Sequence, residues 1–121
     1  MQKPIRVAVI GAGKLGKRHA EVYSNMSDIE LVGVCDIHED KARESAQKCR
    51  TQAFTDHREL LTRVDAASIV VPSEKHYAIS KDFIAGGTHL LIEKPITTRL
   101  DEADKLLALA KQYSSILQVG H

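Results

Sequence analysis

The sequence predicts an α/β protein built on an open, doubly wound parallel sheet with helices on both faces. Short apolar runs typical of buried parallel strands alternate along the chain with segments of helical periodicity. The length of 121 residues is that of one domain, since domains ordinarily run to about 100 to 200 residues. Hydrophobic residues make up 43% of the chain and charged residues 27%, which is the composition of a protein with a buried core.

The strands follow from the apolar runs. Residues 7–10 form a continuous apolar stretch that stops at a glycine, the pattern of a parallel strand covered on both faces. Five further strands are expected at residues 30–35, 52–54, 68–71, 89–92 and 116–119. Right-handed crossovers between consecutive strands favour the spatial order 3-2-1-4-5-6.

The helices follow from spacings of three and four between apolar residues. A helix is predicted over about residues 14–26, with an inward face made of Leu15, His19, Val22 and Met26. A second spans about 39–49 with Ala42 and Ala46 inward, and a short one follows Thr55. Ser73 is expected to cap a helix over 74–85. Thr98 is expected to cap the last helix, whose apolar stripe would be Leu100, Ala103, Leu106, Leu107 and Ala110.

Charge and hydropathy exclude several classes of partner. The net charge is +1, with no basic stripe, which argues against a nucleic acid held by its phosphates. No apolar run approaches the roughly 20 residues of a membrane span, and the first run is too short for a secretion signal. We therefore expect a cytoplasmic protein in which Cys35 and Cys49 are reduced thiols.

The strongest motif is Gly-x-Gly-x-x-Gly at residues 11–16, between the first strand and the first helix. In this context Gly11 permits a tight turn, Gly13 lets the backbone approach a pyrophosphate, and Gly16 allows close helix packing. The backbone of Lys14 and Leu15 would contact the pyrophosphate at the positive end of the helix dipole. The motif predicts a dinucleotide-binding Rossmann domain.

The same loop partly matches a second nucleotide-binding pattern. Gly11 to Lys17 also fits the first seven positions of the triphosphate-binding loop Gly-x-x-x-x-Gly-Lys-[Ser/Thr]. Arg18 stands at the eighth position, where a hydroxyl would ligate Mg²⁺. A nucleotide hydrolase is therefore the weaker alternative.

An acidic residue at the end of the second strand supports the dinucleotide interpretation. Asp36 lies 20 residues beyond Gly16, where its carboxylate would accept hydrogen bonds from the adenosine ribose hydroxyls. Ile37 follows at a position where a basic residue would favour a 2′-phosphate. NAD is therefore the expected cofactor, and three nearby basic residues keep NADP possible: His38, Lys41 and Arg43.

Further polar segments fall at the ends of strands four, five and six, the edge of an open parallel sheet where ligands bind. They are Val71-Pro72-Ser73 with His76, then Glu93-Lys94-Pro95, then Gly120-His121. Together with the glycine loop, this set resembles the Gfo/Idh/MocA family of nicotinamide-dependent sugar and inositol oxidoreductases, from Ile5 to His121. Residues 16–23 and 118–121 are similar to the family's nucleotide-sugar dehydrogenases that oxidise the 3-hydroxyl of UDP-N-acetylglucosamine.

The resemblance implies a role for each of these segments. Lys94 would be the catalytic lysine between the nicotinamide and the substrate hydroxyl, Glu93 would lie near the nicotinamide ribose, and Pro95 would fix the turn. The loop after strand four, with Val71, Pro72, Ser73 and His76, would pass along the cofactor. A lysine also suits the chemistry independently, because an ammonium stabilises the alkoxide that forms when a carbinol loses hydride. No metal site is expected.

The resemblance also implies what this chain lacks. Members carry a C-terminal substrate domain, which supplies specificity and much of the oligomer interface, so residues 1–121 are expected to be the NAD(P)-binding domain alone. The leading hypothesis is thus the cofactor domain of an NAD-dependent oxidoreductase that acts on a sugar, nucleotide-sugar or cyclitol hydroxyl. The alternative from another class is a stand-alone NAD(H)-binding or sensing module without catalysis.

Overall fold

The computed structural model describes residues 3–94, 96–97 and 99–120 and has the expected alternation of strands and helices. Its strands are β1 (Ile5–Ile10), β2 (Ile29–Cys35), β3 (Gln52–Phe54), β4 (Ala66–Ile69), β5 (His89–Glu93) and β6 (Leu117–Gly120). Its helices are α1 (Lys14–Ser24), α2 (Glu39–Lys48), α3 (His76–Ala85) and α4 (Leu100–Gln112), with short 3-10 turns at His57–Leu60 and Ser73–Lys75.

All strand pairs are parallel, and the sheet order is β3-β2-β1-β4-β5-β6. The predicted fold and strand order are confirmed. The register places Ile10 beside both Cys35 and Ile69, so β1, β2 and β4 end side by side. On the outer side of β5, Glu93 is paired with Gly120. The segments that follow these strands therefore meet at one edge.

Two layers of helices cover the sheet, and each has its own core. On one face the buried residues are small, such as Val9 of β1, Ala20 of α1 and Ala46 of α2. On the other face the strands pack against larger side chains of α3 and α4, such as Phe83 and Leu106. Alternate residues of β1 enter the two cores because neighbouring side chains of a strand point to opposite faces.

The inward face predicted for α1 is wrong. Leu15, Val22 and Met26 are exposed, and the buried residues of the helix are Gly16 and Ala20. A methyl group at Gly16 would overlap the Gly11 carbonyl oxygen, so the first turn of α1 packs on the glycine loop with no room for a side chain there. The face of α1 towards the sheet is made of Gly16, Ala20 and the partly buried Tyr23, and Leu15, Val22 and Met26 therefore point away from it.

Other expectations are confirmed or corrected in detail. Ala42 and Ala46 face inward as predicted, as do Leu106 and Ala110, but Leu100 and Leu107 are exposed. β4 occupies 66–69 rather than 68–71, because its neighbour β1 ends at Ile10 and Gly11 turns away with φ +112°.

Neither of the two predicted capping residues is confirmed. Ser73 does not cap α3, because it is the first residue of the 3-10 turn Ser73–Lys75 that precedes the helix. In that turn the Pro72 carbonyl accepts from the Lys75 N–H at 2.9 Å. The cap expected at Thr98 lies outside the described residues. Among the helices that are described, none is long and apolar enough to cross a membrane.

Candidate functional site

A pocket of about 310 Å³ lies where β1, β2 and β4 end. It brings together six of the residues predicted to bind cofactor, which are Gly11, Gly13, Asp36, Ile37, Val71 and Pro72. The others predicted within the described chain do not line it: Lys14, Leu15, Gly16, Ser73, His76, Glu93 and Lys94. Pro95, also predicted, lies outside the described residues.

The three loop glycines have distinct physical roles. Gly11 has φ +112°, and a methyl group there would overlap the Val70 carbonyl oxygen. A methyl at Gly16 would overlap the Gly11 carbonyl, so α1 packs tightly on its own loop. At Gly13, by contrast, an added methyl group would have no atom within 4 Å. The loop is therefore rigid on both sides of an open position, which is what a ligand approaching the backbone requires.

The start of α1 suits an anion. Gly13 is its N-cap and offers no side-chain hydrogen bond, and no acidic residue lies in the first turn. The N–H groups of Lys14, Leu15 and Gly16 are first-turn donors, which have no partner within a helix. Together with the helix dipole they form an electropositive cradle beside Gly13.

Asp36 is held by the backbone around it. Its Oδ2 accepts from the Ala12 N–H at 2.8 Å and its Oδ1 from the His38 N–H at 2.8 Å, with His38 Nδ1 at 3.0 Å. Burial opposes the charge, but the hydrogen bonds from His38 and Ala12 outweigh burial and lower the pKa of this carboxyl. An ionised carboxylate has about four acceptor positions, so acceptor capacity remains for ribose hydroxyls.

Several pocket residues were not predicted as cofactor-binding. Among them are Thr55, His57, Lys75 and Ile79. They carry no motif, and only their nearness to strand ends could have indicated them.

Cys35 also lines the pocket. Burial raises the pKa of its thiol to about 12, and the nearby charge of Asp36 is the second cause of this shift. A thiol that stays protonated is a poor nucleophile, so Cys35 contributes to the pocket wall and not to nucleophilic chemistry.

Glu93 and Lys94 lie at the end of β5, outside the pocket. The Glu93 carboxylate is 3.0 Å from Nε2 of His19 on α1, and the two side chains are only 17% and 15% exposed. A Cβ at Gly120 would come within 3.2 Å of the same carboxylate oxygen, so the glycine leaves room for it. Lys94 itself is exposed. His19, expected as a packing residue, is thus a polar partner of the Glu-Lys segment.

His76 is buried, with 1% of its surface exposed. Its Nε2 lies 2.8 Å from the Val71 carbonyl oxygen and its Nδ1 3.0 Å from that of Ile96. A ring with so little accessible surface offers almost no face to a ligand in this structure. His76 reaches the site only through the backbone of the two loops.

Comparison with known proteins gives consistent results. The model of an oxidoreductase family with an NAD-binding Rossmann fold matches residues 5–121. UDP-N-acetylglucosamine 3-dehydrogenase of Acidithiobacillus ferrooxidans is 41% identical over 97% of this chain and 37% of its own length. D-glucoside 3-dehydrogenase of Escherichia coli is 31% identical over 94% of this chain and 34% of its own length.

Solved structures agree with the sequence matches. The structure of the Acidithiobacillus ferrooxidans UDP-N-acetylglucosamine 3-dehydrogenase superimposes with a TM-score of 0.92 at 40% identity, covering 99% of this chain and 39% of that one. This chain therefore spans somewhat more than a third of the length of the relatives it matches.

Proposed function

Because this chain belongs to the Gfo/Idh/MocA oxidoreductase family, as an NAD-binding Rossmann domain, we propose that it serves a dehydrogenase acting on the hydroxyl group of a sugar, nucleotide sugar or cyclitol. The observation that carries the proposal is the pocket that joins the open Gly13 position to the Asp36 carboxylate. The two ends of this pocket suit the pyrophosphate and the adenosine ribose of a dinucleotide.

Four groups of residues would hold the cofactor. The N–H groups of Lys14, Leu15 and Gly16 would bind the pyrophosphate, and Gly11 and Gly13 would let it approach. The Asp36 carboxylate would accept from the ribose hydroxyls, with Ile37 beside it. Val71, Pro72 and Ser73 would border the adenosine from the other side. Glu93, Lys94 and Pro95 would lie towards the nicotinamide.

We propose that the protein prefers NAD to NADP. The ionised Asp36 side chain is only 12% exposed and bonds to two backbone N–H groups, so it cannot easily turn away from a 2′-phosphate. Ile37, which is 71% exposed, supplies no charge to offset the repulsion. His38 and Lys41 also line the pocket and would permit weaker NADP binding.

Lys94 is the proposed catalytic residue. The cofactor, when bound, supplies the hydride acceptor for oxidation of a carbinol. The Lys94 ammonium would donate a hydrogen bond to the substrate oxygen and stabilise the negative charge that develops there. Its exposure at the end of β5 leaves it open to a substrate.

The relatives' names support the substrate class. They include dehydrogenases of UDP-N-acetylglucosamine, of D-glucosides and of myo-inositol. The greater identity to the first, at 41%, favours a nucleotide sugar carrying N-acetylglucosamine, oxidised at its 3-hydroxyl.

The remaining parts of the proposal concern the whole protein. We propose that residues 1–121 are its NAD(P)-binding domain, and that a further domain supplies substrate specificity and most of the oligomer contacts. The relatives are long enough to contain such a domain. We also propose a cytoplasmic location, supported by Cys35 and Cys49, both of which are free thiols.

Calorimetric titration of the chain with NAD⁺, NADH, NADP⁺ and ATP-Mg²⁺ tests the cofactor half of the proposal. Saturable binding of NAD(H), with weaker binding of NADP⁺ and none of ATP-Mg²⁺, is the expected result. Binding of ATP-Mg²⁺ in preference to the dinucleotides would contradict it and favour the hydrolase interpretation of the loop. Turnover of UDP-N-acetylglucosamine by the whole protein, with NADH formation followed at 340 nm, tests the substrate half.

A further inference from the structure

The segment that carries Lys94 is attached to the rest of the fold on both sides of that lysine. Glu93, just before it, is bonded to His19 of α1 at 3.0 Å. Ile96, two residues after it, presents its carbonyl oxygen to Nδ1 of His76 at 3.0 Å. Lys94 is therefore exposed on a segment whose two flanks are anchored by histidines.

His76 is a well-supported anchor. It is the first residue of α3, whose Phe83 and Ile84 have no exposed surface. The ring itself is buried, and burial of a polar group is unfavourable unless it is hydrogen-bonded. Its other nitrogen faces the carbonyl oxygen of Val71 at 2.8 Å, in the loop after β4 that lines the pocket. One rigid side chain thus contacts the backbone of both loops at this edge of the sheet.

We propose that His76 is a positioning residue that fixes the Lys94 segment relative to the cofactor pocket. Both partners are carbonyl oxygens, Ile96 on one side and Val71 on the other, so the ring bonds to both loops only when each of its nitrogens carries a hydrogen. The significance for catalysis rests on the proposed function of Lys94. The mechanical claim, that the imidazole holds the two loops together, stands on the two contacts alone.

The two contacts can be separated by substitution. The side-chain amide of asparagine lies close to the place of Nδ1, so His76→Asn keeps a donor for Ile96 and loses the one for Val71. Glutamine reaches the place of Nε2, so His76→Gln keeps a donor for Val71 and loses the one for Ile96. If His76 only filled space, the two variants would behave alike.

A matched control lies at the opposite end of β5. His89 is partly buried and its Nδ1 accepts from the Ile116 N–H at 2.9 Å, so it too bonds backbone across two segments. It lies at the start of the strand, whereas Lys94 follows its end. His89→Gln therefore perturbs a histidine–backbone bond of the same strand without touching the proposed site.

The experiment measures amide hydrogen exchange at residues 94, 96 and 97 in the 121-residue chain, by mass spectrometry, with and without NADH. We expect His76→Gln to raise these exchange rates by about threefold to tenfold, the effect of losing one hydrogen bond. His76→Asn and His89→Gln should stay close to the unsubstituted chain at these residues. Nitrogen NMR of the ring should show a hydrogen on both Nδ1 and Nε2, because both nitrogens face carbonyl oxygens.

The outcomes discriminate between the proposals. Equal rates in His76→Asn and His76→Gln would overturn the positioning role, because the residue would then only fill space. A ring nitrogen without a hydrogen would overturn it too, because that nitrogen could not bond to the carbonyl oxygen it faces. A similar rise in His89→Gln would overturn it too, since the effect would be general loosening. Failure of the unsubstituted chain to bind NADH would instead refute the proposed function, while the exchange rates without NADH still decide the role of His76.

Discussion

Substitution of Asp36 by alanine tests the nucleotide site most directly. In the structure the carboxylate accepts from the Ala12 and His38 N–H groups, each at 2.8 Å, and is only slightly exposed. Asp36→Ala removes these bonds together with the proposed acceptor of the ribose hydroxyls. NAD⁺ should therefore bind much more weakly, whereas NADP⁺ loses an acceptor but is also relieved of a repulsive charge.

The magnitude follows from the strength of a hydrogen bond to a charged group. Such a bond contributes about 1.5 to 3 kcal/mol, so losing one to the ribose should raise the Kd for NAD⁺ roughly tenfold to a hundredfold. The change for NADP⁺ should be several times smaller. Because Ala12 also loses its acceptor, the melting temperature should fall as well, and both effects have to be measured.

Calorimetric titration of the variant with NAD⁺ and NADP⁺, below its melting transition, provides the comparison. Asp40→Ala is the matched control, because Asp40 is an exposed carboxylate of the neighbouring helix α2 that does not line the pocket. Equal losses for the two cofactors would refute the reasoning, since Asp36 would then only organise the glycine loop. Unchanged NAD⁺ binding would refute the ribose contact itself.

Four further substitutions have expected results. In the whole protein, Lys94→Ala should leave the Kd for NAD⁺ nearly unchanged in titration, while kcat falls by about a hundredfold or more in a turnover assay. Retained turnover would show that Lys94 takes no part in the chemistry. Gly16→Ala, which overlaps the Gly11 carbonyl, should destabilise the fold by about 1 to 3 kcal/mol or more in thermal unfolding. Gly13→Ala, whose added Cβ would have no atom within 4 Å, should melt like the unsubstituted chain but lose NAD⁺ affinity. A stable Gly16→Ala variant together with a destabilised Gly13→Ala variant that still binds NAD⁺ would contradict the roles given to the two glycines. The hydrogen bonds from Arg58 lower the pKa of Asp56 from 3.8 to about 2, so this pair stabilises the fold above pH 3.8 and the stabilisation is lost as the pH falls towards 2. Asp56→Asn should therefore flatten the dependence of the melting temperature on pH in that window. An unchanged slope would show that the pair does not contribute to stability.

The sheet was predictable because its signals are local and strong. Continuous apolar runs separated by glycine-bounded turns placed the strands to within about two residues, and right-handed crossovers then fixed their order. The orientation of α1 was not predictable from its apolar stripe. It depends on the contact between Gly16 and the Gly11 carbonyl, which involves no apolar side chain and so leaves no mark in the periodicity.

The site was predictable in part for the same reason. Gly13 and Asp36 belong to a spaced motif, and the structure brings both to one pocket. Lys75 and Ile79 line that pocket too, but Lys75 lies in the turn after Pro72 and Ile79 in the helix that follows it, and no spacing rule describes such positions. The burial of His76 was not predictable either, because sequence position does not reveal whether a side chain at a loop points towards the cleft or beneath it.

The contacts of α1 and its preceding loop explain how separate strand ends become one site. The Ala12 N–H bonds to Asp36 at the end of β2, and His19 bonds to Glu93 at the end of β5. One turn further on, the Tyr23 hydroxyl lies 2.6 Å from that of Ser68 in β4. Each bond is directed, so together they set the position of three strand ends against one helix more narrowly than apolar packing would. A displacement of α1 should therefore be felt both at Asp36, the proposed ribose contact, and at the Lys94 segment. We expect a Gly16→Ala change to weaken NAD⁺ binding and to shift the surroundings of Lys94 together.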